Sequence, residues 1–250
     1  MQEPDFLSEY QRLYKLAEQS RESYQSSEPF NNIYFDNFFS RHVYDYIRES
    51  FPDSESSIWK TPQNLHTLRK SVTRQGEFKV KEYLFNPQQR RVLMELNSSL
   101  FLRFLEILTG ISGLIPDPYF AEASYAMSHQ GGTLDIHADF SHHDHLKVER
   151  RLNILIYLND GWQESWGGSL NLYDKHMNLK KLIFPVGNRM AVFTTSEVSF
   201  HGFPEPICCP ADEKRRSINM YYYTVPRANR EIKRIFFPSD PNFQNTLTTD

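Results

Sequence analysis

Cysteine is almost missing from this chain: Cys208 and Cys209 stand side by side and are the only two in 250 residues. Adjacent cysteines cannot build a disulfide framework, and no C-x-x-C spacing is present to hold zinc. Long apolar runs are missing too. No stretch approaches the ~18 residues needed to span a bilayer. The opening MQEPDFLSEYQRLY carries acidic residues where a secretory leader would be apolar. Neither sign of charge dominates: Lys+Arg 28 against Asp+Glu 31 gives a formal net charge of -3. No global field therefore favours nucleic acid or an anionic membrane as partner. These absences predict a protein of the reducing cytoplasm. There is no internal repeat and no low-complexity tract, and nothing sets the oligomeric state.

What is present fits a globular chain with a good-sized core: 39% hydrophobic and 24% charged residues. The 14 Tyr and 19 Phe favour pleated surfaces, which suit aromatic side chains. Leu7, Tyr10, Leu13, Tyr14 and Ala17 recur at helical spacing and predict a leading helix over 5–20. The polar stretch Ser20 to Pro29 reads as a linker. Ile33 to Phe39 is strand-like, and Ser40 is placed to cap a helix running to about Glu49. A single longer helix is expected between Asn86-Pro87 and Gly110, with Leu93, Leu96, Leu100, Phe104, Ile107 and Leu108 on its apolar face.

From about Phe120 the texture changes to short apolar or alternating runs parted by Gly, Asn, Asp and Pro. They are Tyr119–Ser128, Leu152–Leu158, Ser169–Tyr173, Lys181–Val186, Met190–Thr195 and Ser217–Thr224. This spacing predicts a β sandwich or barrel behind a helical buttress, a mainly β fold with flanking helices (α+β). The tail after Pro226 reads as a loose lid or a frayed end.

Four of the nine histidines fall within His137 to His145. Among them, His137-Ala138-Asp139 has the H-x-D spacing, which places an imidazole and a carboxylate on one side of an extended strand. Two histidines and one carboxylate on one face suit Fe(II) and leave other positions open. His201, just beyond the apolar run Met190–Thr195, is the candidate third ligand. His142, His143, Asp144 and His145 lie in a polar stretch and read as a solvent-facing loop. Farther on, Arg215 and Ser217 share a strand face, and a guanidinium fork beside a hydroxyl suits a carboxylate. Tyr157 shares its face with Asn153 and Leu155, and a buried phenol needs a polar partner. Arg150 and Arg151 are expected as surface ion-pair residues, with a substrate carboxylate as the alternative partner for either.

In order, the pieces are H-x-D, an R-x(6)-Y-L-N run from Arg150 to Asn159, W-x(3)-W-G-G from Trp162 to Gly168, a lone His201, and R-x-S. This order resembles the 2-oxoglutarate- and Fe(II)-dependent dioxygenases, in their prolyl-hydroxylase-like branch, over roughly Phe120 to Tyr223. The opening PFNNIYFDNFFSRHVYDYIRESFP is similar to the start of such domains. The resemblance implies a double-stranded β-helix (jelly-roll) core with an N-terminal helical buttress. It divides the chain into a helix and linker (1–28), an oxygenase domain (29–226, core about 119–224) and a tail (227–250). It implies that His137, Asp139 and His201 hold catalytic iron, and that Arg215, Ser217 and Tyr157 bind the co-substrate. The implied cofactors are Fe(II), 2-oxoglutarate and O2, with ascorbate as a supporting reductant.

Arginine rather than lysine at the anchoring position looks like the oxygen-sensing and ribosomal-protein hydroxylases more than the collagen type. Asp139 disfavours halogenation, whose enzymes carry a small residue there. The implied reaction is hydroxylation of an unactivated C–H bond. Its substrate is a protein or peptide residue, or a small molecule such as an amino acid, chosen by loops at Asp117–Met127 and Phe140–Arg151 and by the tail. The insert Phe140–Val148 is placed to act as a lid or as an ordinary loop. Two other readings stand beside it: a non-catalytic metal-binding (sensor or cupin-like) jelly-roll, and a cupin-type isomerase or lyase. The first of these would need neither Arg215 nor Tyr157, and the second gathers more histidines on its metal.

Overall fold

The computed structural model describes residues 3–56, 58–59, 69–71, 84–120, 123–139, 142–143, 145–227 and 235–237. It opens with helix α1 (Phe6–Gln25), capped by the Asp5 carboxylate accepting from the Leu7 N–H. The helix runs through the first half of the stretch read as a linker. Tyr24 explains the difference: it is fully buried, and its hydroxyl lies 2.6 Å from Thr194 Oγ1. Packing against the β core therefore overrides the polar composition of the last turn.

Strand β1 (Asn32–Phe35) and helix α2 (Arg41–Glu49) follow. Ser40 is the N-cap of α2, although its side chain makes no capping bond. After β2 (Arg69–Ser71), the expected single helix proves to be two, α3 (Pro87–Leu96) and α4 (Ser99–Thr109). Asn97 ends the first, and the Ser98 side chain accepts from the Phe101 N–H to start the second. A serine side chain at that point competes with the helical ladder and favours a cap. Gly110, at φ 74, closes α4 in the left-handed conformation that glycine adopts without strain.

The remaining elements are β3 (Ile115–Pro116), β4 (Ser124–Ser128), β5 (Leu134–Ala138), β6 (His142–His143), β7 (Val148–Tyr157), β8 (Leu170–Tyr173), β9 (Leu179–Ile183), β10 (Met190–Thr194), β11 (Phe200–Phe203), β12 (Arg215–Thr224) and β13 (Ile235–Phe237). They form two antiparallel sheets. The larger runs β1-β10-β7-β12-β4-β2, with β3 beside β12 and β6 beside β7; the smaller runs β13-β5-β11-β8-β9. The expected jelly-roll core is what forms. Part of the expected loose tail is ordered, since β13 pairs with β5. The final NFQNTLTTD run lies outside the described residues, as do Phe140, Ser141 and Asp144 of the expected lid.

Strand alternation separates the two faces of the larger sheet. On β7, Leu152, Ile154 and Ile156 join the core built with Leu13, Phe104, Leu105 and Leu108 of the helices. Tyr157 points the other way, into a cluster with Leu170, Leu172, Ile183, Ala191 and Phe193 between the sheets. Each fully buried aliphatic of this kind contributes about 1.5–3 kcal/mol. The helices thus back one face of the larger sheet and leave its other face for the site. Among the described residues, no helix is long and apolar enough to cross a membrane.

The start of α3 is a full capping box: Asn86 accepts from the Gln89 N–H at 2.8 Å, and the Gln89 side chain accepts from the Asn86 N–H at 3.0 Å. Asn86→Ala removes one of these bonds and is expected to lower stability by about 1 kcal/mol in urea denaturation. An unchanged midpoint would show that α3 does not depend on its cap.

Candidate metal and co-substrate site

Strands β5 and β11 pair so that His137 stands directly opposite His201. Their rings lie with centroids 4.4 Å apart. Each ring is locked from behind: His137 Nδ1 lies 2.7 Å from the Asp135 carbonyl, and His201 Nδ1 lies 2.9 Å from the Ser199 carbonyl. A carbonyl accepts only, so both Nδ1 atoms carry the proton and each ring turns its Nε2 toward Asp139. Asp139 sits just past the end of β5. Its Oδ1 is 3.4 Å from His137 Nε2, and its Oδ2 is 3.6 Å from His201 Nε2. The ligand atoms of all three residues lie within 4.8 Å of one another.

The electrostatics suit a divalent cation. Burial pushes the pKa of His201 down to about 4, which leaves a neutral imidazole near pH 7. Burial opposes the charge on Asp139, but the two imidazoles and an amide donor from Asn153 outweigh it and hold the carboxyl well below the usual range. Two imidazoles and one carboxylate, all buried, form a donor set for a first-row metal. Metal bonds of ~2.1 Å at right angles place donor atoms ~3 Å apart, near the observed separations.

A second constellation shares the space between the sheets. Arg215, at the start of β12, is buried; its Nε donates to the Gly168 carbonyl at 2.7 Å and its Nη2 to the Tyr157 hydroxyl at 3.3 Å. Its guanidinium stacks 4.6 Å from the Phe203 ring. Burial raises the pKa of Tyr157 and Arg215 works against it, so the phenol stays protonated. Ser217 pairs across the strands with Tyr157, and its hydroxyl donates to Asn219 Oδ1 at 2.9 Å rather than toward Arg215. Two links join this end to the histidines. Phe203 lies two residues past His201 on β11, and Phe193, which packs with Tyr157, sits edge-on to His201 at 4.7 Å.

Residues 123–223 match the family model described as the 2OG-Fe(II) oxygenase superfamily. They are a 2OG-Fe(II) oxygenase domain. Fe(II) and 2-oxoglutarate are accordingly its cofactor and co-substrate, with O2 the usual third component. The oxygenase has the fold of the prolyl hydroxylases. It superposes at TM-score 0.62 and 15% identity on a Trichoplax adhaerens prolyl hydroxylase in complex with a hypoxia inducible factor peptide, covering 88% of this chain and 94% of that one. A Pseudomonas putida prolyl-4-hydroxylase gives TM-score 0.58 at 16% identity, covering 84% and 99%. In sequence the oxygenase is 33% identical over 86 residues to prolyl 3-hydroxylase OGFOD1 of Mus musculus. That match takes in 32% of this chain and spans 15% of the length of the mouse protein.

Two expectations about polar residues of the oxygenase are corrected. Arg150 is not on the surface: it is 2% exposed, with Nη1 3.4 Å from Asp139 Oδ2 and its guanidinium 4.1 Å from the Tyr221 ring. The cause is a register shift between β7 and β12. Leu152 faces Tyr222 while Arg150 faces Tyr223, so Arg151 is skipped and Arg150 is turned inward. His143 is likewise not solvated. Pairing of β6 with β7 draws it in, and it is buried 3.3 Å from the equally buried Asp117. His142 is half-buried and His145 is exposed, edge-on to Tyr119. Asp144 lies outside the described residues.

The close approach of β11 to β5 depends on Gly202. A Cβ there would meet the Leu134 carbonyl oxygen at 2.7 Å and that of Asp135 at 2.8 Å, both rigid backbone atoms. Gly202→Ala is expected to force the strands apart and weaken Co(II) binding at least tenfold in a titration of the apo-protein. Wild-type affinity would show that this approach does not position the histidines.

Proposed function

We propose that the protein hydroxylates an unactivated C–H bond of a prolyl residue in a protein or peptide. In this reading His137, Asp139 and His201 hold Fe(II), while Arg215, Tyr157 and Ser217 hold 2-oxoglutarate. One observation carries it: a buried His/Asp/His set shares its inter-sheet space with a buried guanidinium and phenol. A non-catalytic metal site would have no use for that second set. The prolyl substrate is supported by the 33% identity with a prolyl 3-hydroxylase across the part of the chain that matches it.

When bound, iron with 2-oxoglutarate and O2 supplies the oxidising chemistry, by which 2-oxoglutarate becomes succinate and CO2 and one oxygen atom enters the C–H bond. The protein does the rest. The two histidines present Nε2 because their Nδ1 protons are engaged by backbone. Arg215 and Tyr157 offer N–H and O–H donors to the distal carboxylate of 2-oxoglutarate and so fix its orientation. Phe193 and Phe203 wall the space with aromatic surface and exclude water.

Succinate release from 2-oxoglutarate, measured with proline-containing peptides and separately with free amino acids, tests this reading. Peptide-stimulated release with hydroxyproline in the product is expected. Arg215→Ala should raise the 2-oxoglutarate concentration needed for half-maximal rate at least tenfold, since a charge-assisted pair contributes about 1.5–3 kcal/mol. Stimulation by free amino acids alone would move the substrate to small molecules. Absence of any 2-oxoglutarate turnover would overturn the proposal.

A further inference from the structure

Asp139 is the one member of the buried triad that lies outside the paired strands, one residue beyond the end of β5. The histidines are held by strand register and by backbone carbonyls, so the carboxylate needs another support. It comes from the opposite sheet. Asn153, on the inner face of β7, donates its amide Nδ2 to Asp139 Oδ2. Behind it the Thr195 hydroxyl donates to Asn153 Oδ1 at 3.3 Å, and the Thr195 N–H donates to the Arg151 carbonyl at 2.9 Å, tying Thr195 to β7. Asn153 and Thr195 are each 2% exposed.

This chain of bonds settles the orientation of the amide. An ionised carboxylate only accepts, so Asp139 takes the NH2 group, which leaves the amide oxygen to accept from the Thr195 hydroxyl. Asp139 Oδ2 thus accepts from Asn153, with Arg150 Nη1 a further 3.4 Å contact on the same oxygen. Oδ1 faces His137 Nε2 at 3.4 Å.

We propose that Asn153, braced by Thr195, is a positioning residue that engages Oδ2 of Asp139 and presents Oδ1 to the metal. The inference rests on the reading of His137, Asp139 and His201 as the metal ligands. It adds a determinant in the other sheet, so that metal binding ties the two halves of the jelly-roll together. Partners of this kind behind a ligand typically govern metal affinity by about 10–100-fold.

The test is titration of the apo-protein with Co(II), reading both the binding isotherm and the visible spectrum, alongside the Tm of each metal-free variant. Asn153→Ala is expected to weaken Co(II) binding about 10–100-fold and to change the spectrum. Thr195→Val, which keeps shape and removes the hydroxyl, should weaken binding less, with an unchanged metal-free Tm. Asn153→Asp, which sets a second carboxylate against Asp139, should bind worse than Asn153→Ala. In turnover, kcat should fall in Asn153→Ala while the KM for 2-oxoglutarate holds, because Arg215 is untouched. Wild-type affinity and spectrum in Asn153→Ala would overturn the proposal. Should that variant not fold, Thr195→Val decides: wild-type affinity and spectrum there would overturn it equally. Failure of the site reading looks different, since then the wild-type protein does not bind Co(II), or His137→Ala binds it as well.

Discussion

The antiparallel pairing of β5 with β11 is the constraint on which the rest of the site depends. It brings His137 and His201 face to face although 64 positions separate them in the chain. Side chains directly opposite in such a pair have Cβ atoms about 4.5–5.5 Å apart, close enough for two imidazoles to share one cation. Gly202 lets the two backbones approach, and the carbonyls of Asp135 and Ser199 turn each ring the right way. Strand register alone therefore delivers two of the three candidate donors, with each Nδ1 proton held by a backbone carbonyl.

The larger sheet supplies what the smaller one lacks. From β7 and β12 come Asn153, Arg150, Tyr157 and Arg215, all buried and all aimed into the space between the sheets. Buried charge is expensive unless paired and hydrogen-bonded. Asp139 meets that demand with Asn153 and Arg150, and Arg215 meets it with Gly168, Tyr157 and the ring of Phe203. The helices cover the far face of the larger sheet. A polar site thus sits inside a fold whose stability comes mostly from apolar packing elsewhere.

Much of this was legible in the sequence because short-range periodicity carries it. The i, i+2 relation of His137 to Asp139 and of Arg215 to Ser217 follows from strand geometry, as does the shared face of Asn153 and Tyr157. What escaped depends on long-range pairing. Arg150 reads as a surface residue until the bulge against Tyr222 and Tyr223 turns it inward. His143 reads as loop until β6 adds to β7 and seats it on Asp117. Tyr24 reads as linker until its hydroxyl finds Thr194. Asn153 was placed on the correct face but without its partner, since no local pattern announces that Asp139 lies across from it. The break at Asn97-Ser98 was different in kind: Ser98 is a good N-cap, and its signal was overridden by the apolar spacing that runs through it.

The central claim is that the His/Asp/His set and the Arg215 clamp form one iron and 2-oxoglutarate site. Anaerobic titration of the apo-protein with Fe(II) and 2-oxoglutarate addresses it most directly, through the weak visible charge-transfer band of the chelate. The account predicts a band that needs both additions, disappears in Asp139→Ala and weakens in Arg215→Ala. No band with both present, or a band undiminished in Asp139→Ala, would contradict it.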